Sequence, residues 1–322
     1  LLNGNDLIPD TQYEFYIEVT SLNGKTAVVN DTAFNFYTLS QINNYGYSQK
    51  NYSLSYSQSC NTILDVNNNG LNDLLLNDIK GNLRLNIFEF NNGSFSKISD
   101  NNWPDFRIAK DIGDIDGDGK LEILFSKERN GYVYEAPTAG QLPTDQIWND
   151  TDDGNFWSAR IADTDNDGKK EILGFGKSGL RILESDGNNG CTPIATLNYF
   201  GIDSVANSQN VLVEDFDGDG KNEIVFVNLF YERQSSFLSK TGISIYENTS
   251  DNNYTLVFKD SIDRFVKGDN LVTGDFNGDG KKDFAVGVVS KDGDLIQYYS
   301  LYTYTSAGNN SYEIMDVTDI YN

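Results

Sequence analysis

Residues 114–125 read DIDGDGKLEILF, and the pattern recurs down the chain. Its first nine residues put acids at positions 1, 3, 5 and 9 (Asp114, Asp116, Asp118, Glu122) and glycine at position 6, and an apolar run follows. The same register holds in DVNNNGLND (65–73), DTDNDGKKE (163–171), DFDGDGKNE (215–223) and DFNGDGKKD (275–283). Alternate oxygen side chains on a loop that reverses at a glycine are suited to wrapping a hard cation. Calcium takes about six to eight oxygens in loose geometry, whereas magnesium demands a compact octahedron and keeps its waters. Glycine permits the reversal that returns position 9 toward position 1. The competing reading, acidic turns that bind nothing, leaves neighbouring carboxylates to repel one another. Four calcium sites are expected, with a fifth, weaker one at the first loop. There only Asp65 and Asp73 are ionised, while Asn67 and Asn69 are neutral.

Short apolar runs flank each loop, for example NVLVED before and EIVFVNLF after the fourth. They are short and rich in Ile, Leu, Val and Phe, which predicts buried strands rather than helices. Two further strand-like segments follow in each unit, separated by Asn-Asn-Gly, Asp-Gly or Asn-Asn turns. Each unit therefore reads as four antiparallel strands with the acidic loop between the first and second. The loops start 49, 49, 52 and 60 residues apart, the period of a propeller blade. A four-stranded sheet cannot bury both faces alone, so blades stack about an axis, with the strand before each loop innermost. The expected class is all-β.

The motif D-x-[DN]-x-[DN]-G-x-x-[DE], once per unit and followed by an apolar strand, resembles the FG-GAP or VCBS repeat of integrin α-subunit headpieces and many secreted bacterial proteins. The resemblance spans roughly residues 55–322. It implies cation ligation by the side chains of Asp65, Asn67, Asn69 and Asp73 in the first loop, and by Asp114, Asp116, Asp118 and Glu122 in the second. In the third, fourth and fifth loops it implies Asp163, Asp165, Asp167 and Glu171; Asp215, Asp217, Asp219 and Glu223; and Asp275, Asn277, Asp279 and Asp283. The backbone carbonyl at position 7 (Leu71, Lys120, Lys169, Lys221, Lys281) completes each set. Propellers of this kind usually carry about seven blades. Five are visible here, and MDVTDIYN (315–322) resembles the approach to another.

Residues 1–40 differ in character. LIPDTQYEF (7–15) carries Leu7, Pro9, Thr11 and Tyr13, and resembles the tyrosine corner in the second half of a fibronectin type III sandwich. Residues 41–56 then form a linker or a ring-closing strand, and 57–322 the propeller. The chain opens on LLNGND without an initiator methionine and reads as a fragment of a longer protein.

Composition narrows the function. The net charge of −24 disfavours nucleic acid and anionic membranes. Seventeen of the 48 acids lie in the five loops, and five Ca²⁺ would bring the charge to −14. There is no histidine, the usual general base and transition-metal ligand. Cys60 and Cys191 cannot build a zinc site alone, and their pairing stays open. An EF-hand needs a bidentate Glu at position 12, where the second and third loops place Phe125 and Gly174. No nucleophile elbow or phosphate loop occurs, and no run is apolar enough to span a bilayer. Seven Asn-X-Ser/Thr sequons permit glycosylation without arguing for it, since a chain so rich in Asn, Ser and Thr carries several by chance.

The expectation is a non-catalytic extracellular or cell-surface module for adhesion, assembly or display, with a protein or glycan partner. It would belong to a larger multidomain chain or a filament. A lectin-like propeller or a polysaccharide lyase or hydrolase module is the alternative. Trp103, Phe106, Phe156, Trp157 and Phe265 precede inner strands and suit either inter-blade packing or a binding rim. Lys267-Gly268-Asp269, similar to an integrin-recognised tripeptide, is expected to be a turn.

Overall fold

The computed structural model describes residues 58–321, except 79–84, 93, 100–107, 128–129, 151–153, 177–178, 201–203, 206–209, 232–238 and 293–294. The fibronectin-like stretch and residues 41–56 lie outside the described residues. Two compact units are present, one of Leu1–Ile63 with Leu71–Asp105, the other of Leu64–Gly70 with Phe106–Asn322.

The described structure is all strand and turn, with five antiparallel sheets that are the blades of a β-propeller. The first sheet holds β1 (Gln58–Leu64), β2 (Asp73–Asp78), β3 (Leu85–Asn91) and β4 (Ser94–Lys97), paired in chain order. The second holds β5 (Ile108–Gly113), β6 (Glu122–Lys127), β7 (Asn130–Glu135) and β8 (Asp145–Asp150). The third holds β9 (Gly154–Ala162), β10 (Glu171–Gly176), β11 (Gly179–Ser185) and β12 (Cys191–Asn198). The fourth has β13 (Ser204–Val205), β14 (Val211–Glu214), β15 (Glu223–Tyr231), β16 (Ser239–Ser250) and β17 (Asn253–Ile262). The fifth has β18 (Phe265–Gly274), β19 (Asp283–Asp292), β20 (Leu295–Gly308) and β21 (Ser311–Tyr321).

Chain-order pairing follows from the short turns, which leave each strand beside its predecessor. In every blade the acidic loop joins the first strand to the second, as expected, and position 9 is the first residue of the second strand. The apolar runs after the loops are buried along almost their whole length because sheets cover both faces; β6 and β10 expose nothing but the half-buried Lys127. The seams within the second unit are packed by aromatic and branched side chains. Phe156 on β9 is buried. Its ring fills the space that a Cβ would take on Gly131 of β7, at 2.8 Å, and on Gly174 of β10, at 2.6 Å. Phe216 meets Phe284 of the following blade edge to face at 5.7 Å, and Phe284 stacks on Tyr304 at 4.9 Å. Inter-blade packing is thus the role of Phe156. Trp103 and Phe106, and the side chains of Trp157 and Phe265, lie outside the described residues.

One expectation needs correction and two are refined. The fourth blade keeps the four strand positions, but its first strand is split into β13 and β14, which pair in series along β15. Lys267-Gly268-Asp269 lies within β18, where pairing to β19 breaks between Val266 and Leu271, and is not a turn between strands. Met315–Tyr321 belongs to β21, the fourth strand of the fifth blade. Among the described residues no helix is long and apolar enough to cross a membrane.

Candidate metal centres in the blade loops

Each loop is wound around its own first aspartate. In the second loop Gly117 N and Gly119 N donate to the two oxygens of Asp114, at 2.8 and 3.1 Å. In the fourth, Gly218 N and Gly220 N do the same to Asp215, at 2.7 and 2.9 Å. The fifth repeats this on Asp275, at 2.7 and 3.0 Å. In the third loop Gly168 N reaches Asp163 at 3.1 Å, and in the first Asn69 N and Gly70 N reach Asp65 at 2.9 and 2.6 Å. Position 6 is in the left-handed region every time, for example Gly119 at φ 85° and Gly220 at φ 90°. The sharp reversal read from the sequence is therefore present.

Position 9 closes the loop from the strand side. Glu122 Oε2 accepts from Ile115 N at 2.5 Å, Glu223 Oε2 from Phe216 N at 2.8 Å, and Asp283 Oδ2 from Phe276 N at 2.8 Å. Glu171 Oε2 accepts from both N and Oγ1 of Thr164, each at 2.6 Å. One oxygen of each carboxylate is thus committed to the backbone. The other oxygen, on Glu122, Glu171, Glu223 and Asp283 alike, is buried and receives no hydrogen bond from the protein. A buried, unsatisfied carboxylate oxygen carries a heavy desolvation penalty. Its repetition in four loops makes the arrangement fit a cation, which would satisfy that oxygen together with the charges beside it. Burial first, and then the neighbouring loop aspartates, push Glu122 up to about 8 and Glu171 and Glu223 up to about 7.

Ligand atoms gather within 4.8 Å of one another from Asp114, Asp116 and Glu122, from Asp163, Asp165 and Glu171, and from Asp215, Asp217, Asp219 and Glu223. Position 5 joins the cluster only in the fourth loop. In all three loops position 5 also pairs with the lysine two residues on, Asp118 with Lys120 at 2.6 Å, Asp167 with Lys169 at 3.3 Å and Asp219 with Lys221 at 3.0 Å. In the fifth loop Asn277 Nδ2 donates to Asp279 Oδ2 at 3.1 Å and to Thr305 Oγ1 at 3.0 Å, which holds position 5 aside there as well. In the first loop Asp73, at position 9, is fully buried.

Sequence reasoning missed a glutamate behind four of the five loops. The ladder sets Glu89, Glu135, Glu184 and Glu247 directly opposite Asp73, Glu122, Glu171 and Glu223. Like charges facing each other across a ladder are destabilising. In three blades the position-7 lysine compensates. Lys120 Nζ donates to Glu135 Oε1 at 2.5 Å and Lys169 Nζ to Glu184 Oε1 at 2.6 Å, and Lys221 pairs with Glu247. The signal was present as a glutamate toward the end of four of the five third strands, in NIFEF, YVYE, RILES and SIYEN. Position 7 was read there for its carbonyl alone.

The sequence model of the FG-GAP-like repeat matches residues 65–125, 114–174, 163–226 and 215–286. Every match starts on the first aspartate of a loop and runs past the next loop into its strand. The chain belongs to the FG-GAP-like repeat family. Over 208 residues this FG-GAP-like chain is 25% identical to the T-cell immunomodulatory protein homolog of Plasmodium falciparum (isolate 3D7), covering 54% of the chain and 28% of that protein. The chain thus spans under a third of that relative's length. Among solved structures it is similar to an Agrocybe aegerita lectin that recognises non-reducing terminal N-acetylglucosamine. That likeness has 15% identity and a TM-score of 0.46, over 84% of this chain and 81% of that one. A periplasmic gluconolactonase of Pseudomonas aeruginosa is similar at 9% identity and a TM-score of 0.49, over 78% and 67%.

Proposed function

We propose that the FG-GAP-like chain is a calcium-stabilised, non-catalytic propeller module of a secreted or cell-surface protein, acting in adhesion, assembly or display. The observation that carries the calcium reading is the buried oxygen of Glu122, Glu171, Glu223 and Asp283 that no protein group satisfies. A bound cation supplies the positive charge that this oxygen and its aspartate neighbours lack. The protein's own part is to hold the carboxylates ready: backbone N–H groups fix position 1, and the strand ladder fixes position 9. Among the described residues the clustered acids other than Asp251 are committed to these loops or to their lysines, which supports a role without general acid–base chemistry. The long antiparallel scaffold and its acidic surface support presentation to a protein or glycan partner.

The test is a thermal melt in excess EDTA and in millimolar calcium, with magnesium as control, followed by calorimetric titration. The expected result is a higher melting temperature in calcium only and a stoichiometry of four to five. Identical melts would overturn the calcium reading. A screen of glycans and of intact cells with the calcium-loaded chain tests the surface role. Turnover of a polysaccharide in that screen would refute the non-catalytic assignment.

A further inference from the structure

Each of three acidic loops in the second unit is touched by the blade that follows it, always through the same residue type. The third and fourth strands of those blades meet in a turn with an asparagine in the left-handed region: Asn189 (φ 65°), Asn252 (φ 58°) and Asn310 (φ 64°). Asparagine tolerates that backbone better than most residues. Asn189 N donates to Asp116 Oδ2 at 3.3 Å, Asn252 N to Asp165 Oδ2 at 2.7 Å, and Asn310 N to Asp217 Oδ2 at 2.7 Å. All three acceptors are position 3 of the preceding blade's loop. The other oxygen of each accepts from within the loop, from Asp118 N at 3.2 Å, Asp167 N at 3.3 Å and Asp219 N at 3.1 Å.

Position 3 is therefore clamped by one N–H from its own blade and one from the next. In two seams the same asparagine also holds the glutamate behind the loop. Asn252 Nδ2 donates to Glu184 Oε2 at 2.7 Å, and Asn310 Nδ2 donates to Glu247. Lys169 and Lys221 reach those glutamates from the loop side. A path of hydrogen bonds thus runs from the loop, through lysine and glutamate, to the neighbouring turn and back to the loop's own aspartate.

We propose that Asn189, Asn252 and Asn310 are positioning residues for the cation loops of the preceding blade, so that each of these loops is completed by its neighbour. This rests on the calcium reading above and goes beyond it. A carboxylate fixed from both sides loses less freedom when it ligates, which raises affinity. By linkage, a cation that binds better to the docked seam must stabilise docking by the same factor. Cation binding and blade-to-blade docking are then one equilibrium, and the turns serve as its latch.

Hydrogen exchange of the full chain, read by mass spectrometry across a calcium titration, tests this. Calcium is expected to protect 163–171 and 215–223, and with the same midpoints the turns 250–253 and 308–311 of the following blades. Asn252→Gly keeps the left-handed turn and its N–H and removes only the carboxamide. It is expected to raise the midpoint for 163–171 by about two- to tenfold, the range of one net hydrogen bond, while 215–223 keeps its midpoint. Asn310→Gly is expected to do the converse. A purely structural asparagine would lower stability without shifting one loop's midpoint selectively. Protection of the loops with unprotected turns, or unshifted midpoints in both variants, overturns the latch and leaves the calcium reading standing. Protection of nothing overturns both.

Discussion

Glu171 shows at a single residue how this protein holds charge ready for a cation. Its Oε2 is occupied by the N and Oγ1 of Thr164, while Oε1 is buried and unsatisfied toward Asp163 and Asp165. In Glu171→Gln the amide oxygen keeps the Thr164 bonds, and an NH₂ replaces the buried, unsatisfied oxygen. The variant is expected to melt no lower than the wild type in EDTA, because a cause of carboxylate repulsion is gone. In calcium it should lose one equivalent in the titration. A lower melt in EDTA with unchanged stoichiometry would contradict the ligand role. Gly220 isolates the backbone contribution. At φ 90° with nothing within 4 Å of an added Cβ, its replacement by alanine meets strain but no clash. Gly220→Ala is expected to cost about 1–2 kcal/mol by chemical denaturation.

The seam between the second and third blades depends on one ring. Phe156→Ala removes the side chain that Gly131 and Gly174 make room for, and the cavity should cost about 3–5 kcal/mol in chemical denaturation. A loss below 1 kcal/mol would mean that the seam collapses to fill the space. At this scale the sequence was legible where a pattern is local. The apolar runs gave the second strands, the loops gave the turns into them, and the nine-residue register gave positions 1, 6 and 9 their geometry. Two features were not legible. Position 5 is one: Asp118 and Asp219 both pair with the lysine two residues on, and that lysine pairs with a strand glutamate in both loops, yet only Asp219 joins its cluster. The clamp on position 3 depends on neighbours 73 to 93 residues away, which no local period reports. Polar residues such as Asn252 and Asn310 look like ordinary turn formers in the sequence, and only the adjoining blade gives them a second role.

Taken as a whole, the chain carries a net charge of −24 with no histidine; among the described residues burial raises Glu122, Glu171 and Glu223 into the range between pH 5 and 8, and raises Asp111 and Asp165 in the same direction. Their folded pKa values, about 8 for Glu122 and about 7 for Glu171 and Glu223, stand above the ordinary 4.5. Groups raised on folding bind more protons in the native state, so the stability they contribute is present at low pH and lost as pH rises through the folded values. Asp118 and Asp219 are shifted the other way, the first mainly by its bond to Lys120 and the second by the N–H of Lys221. Their contribution is lost only as pH falls below the ordinary aspartate range, outside this window. In EDTA the melting temperature is therefore expected to fall from pH 5 to pH 8. Ligation requires those same glutamates to be ionised, so binding releases protons and strengthens over the same interval. The gap between melts in calcium and in EDTA should widen steadily from pH 5 to pH 8. A gap independent of pH would show that the glutamates at position 9 do not join the cation, whichever other residues of the loops do.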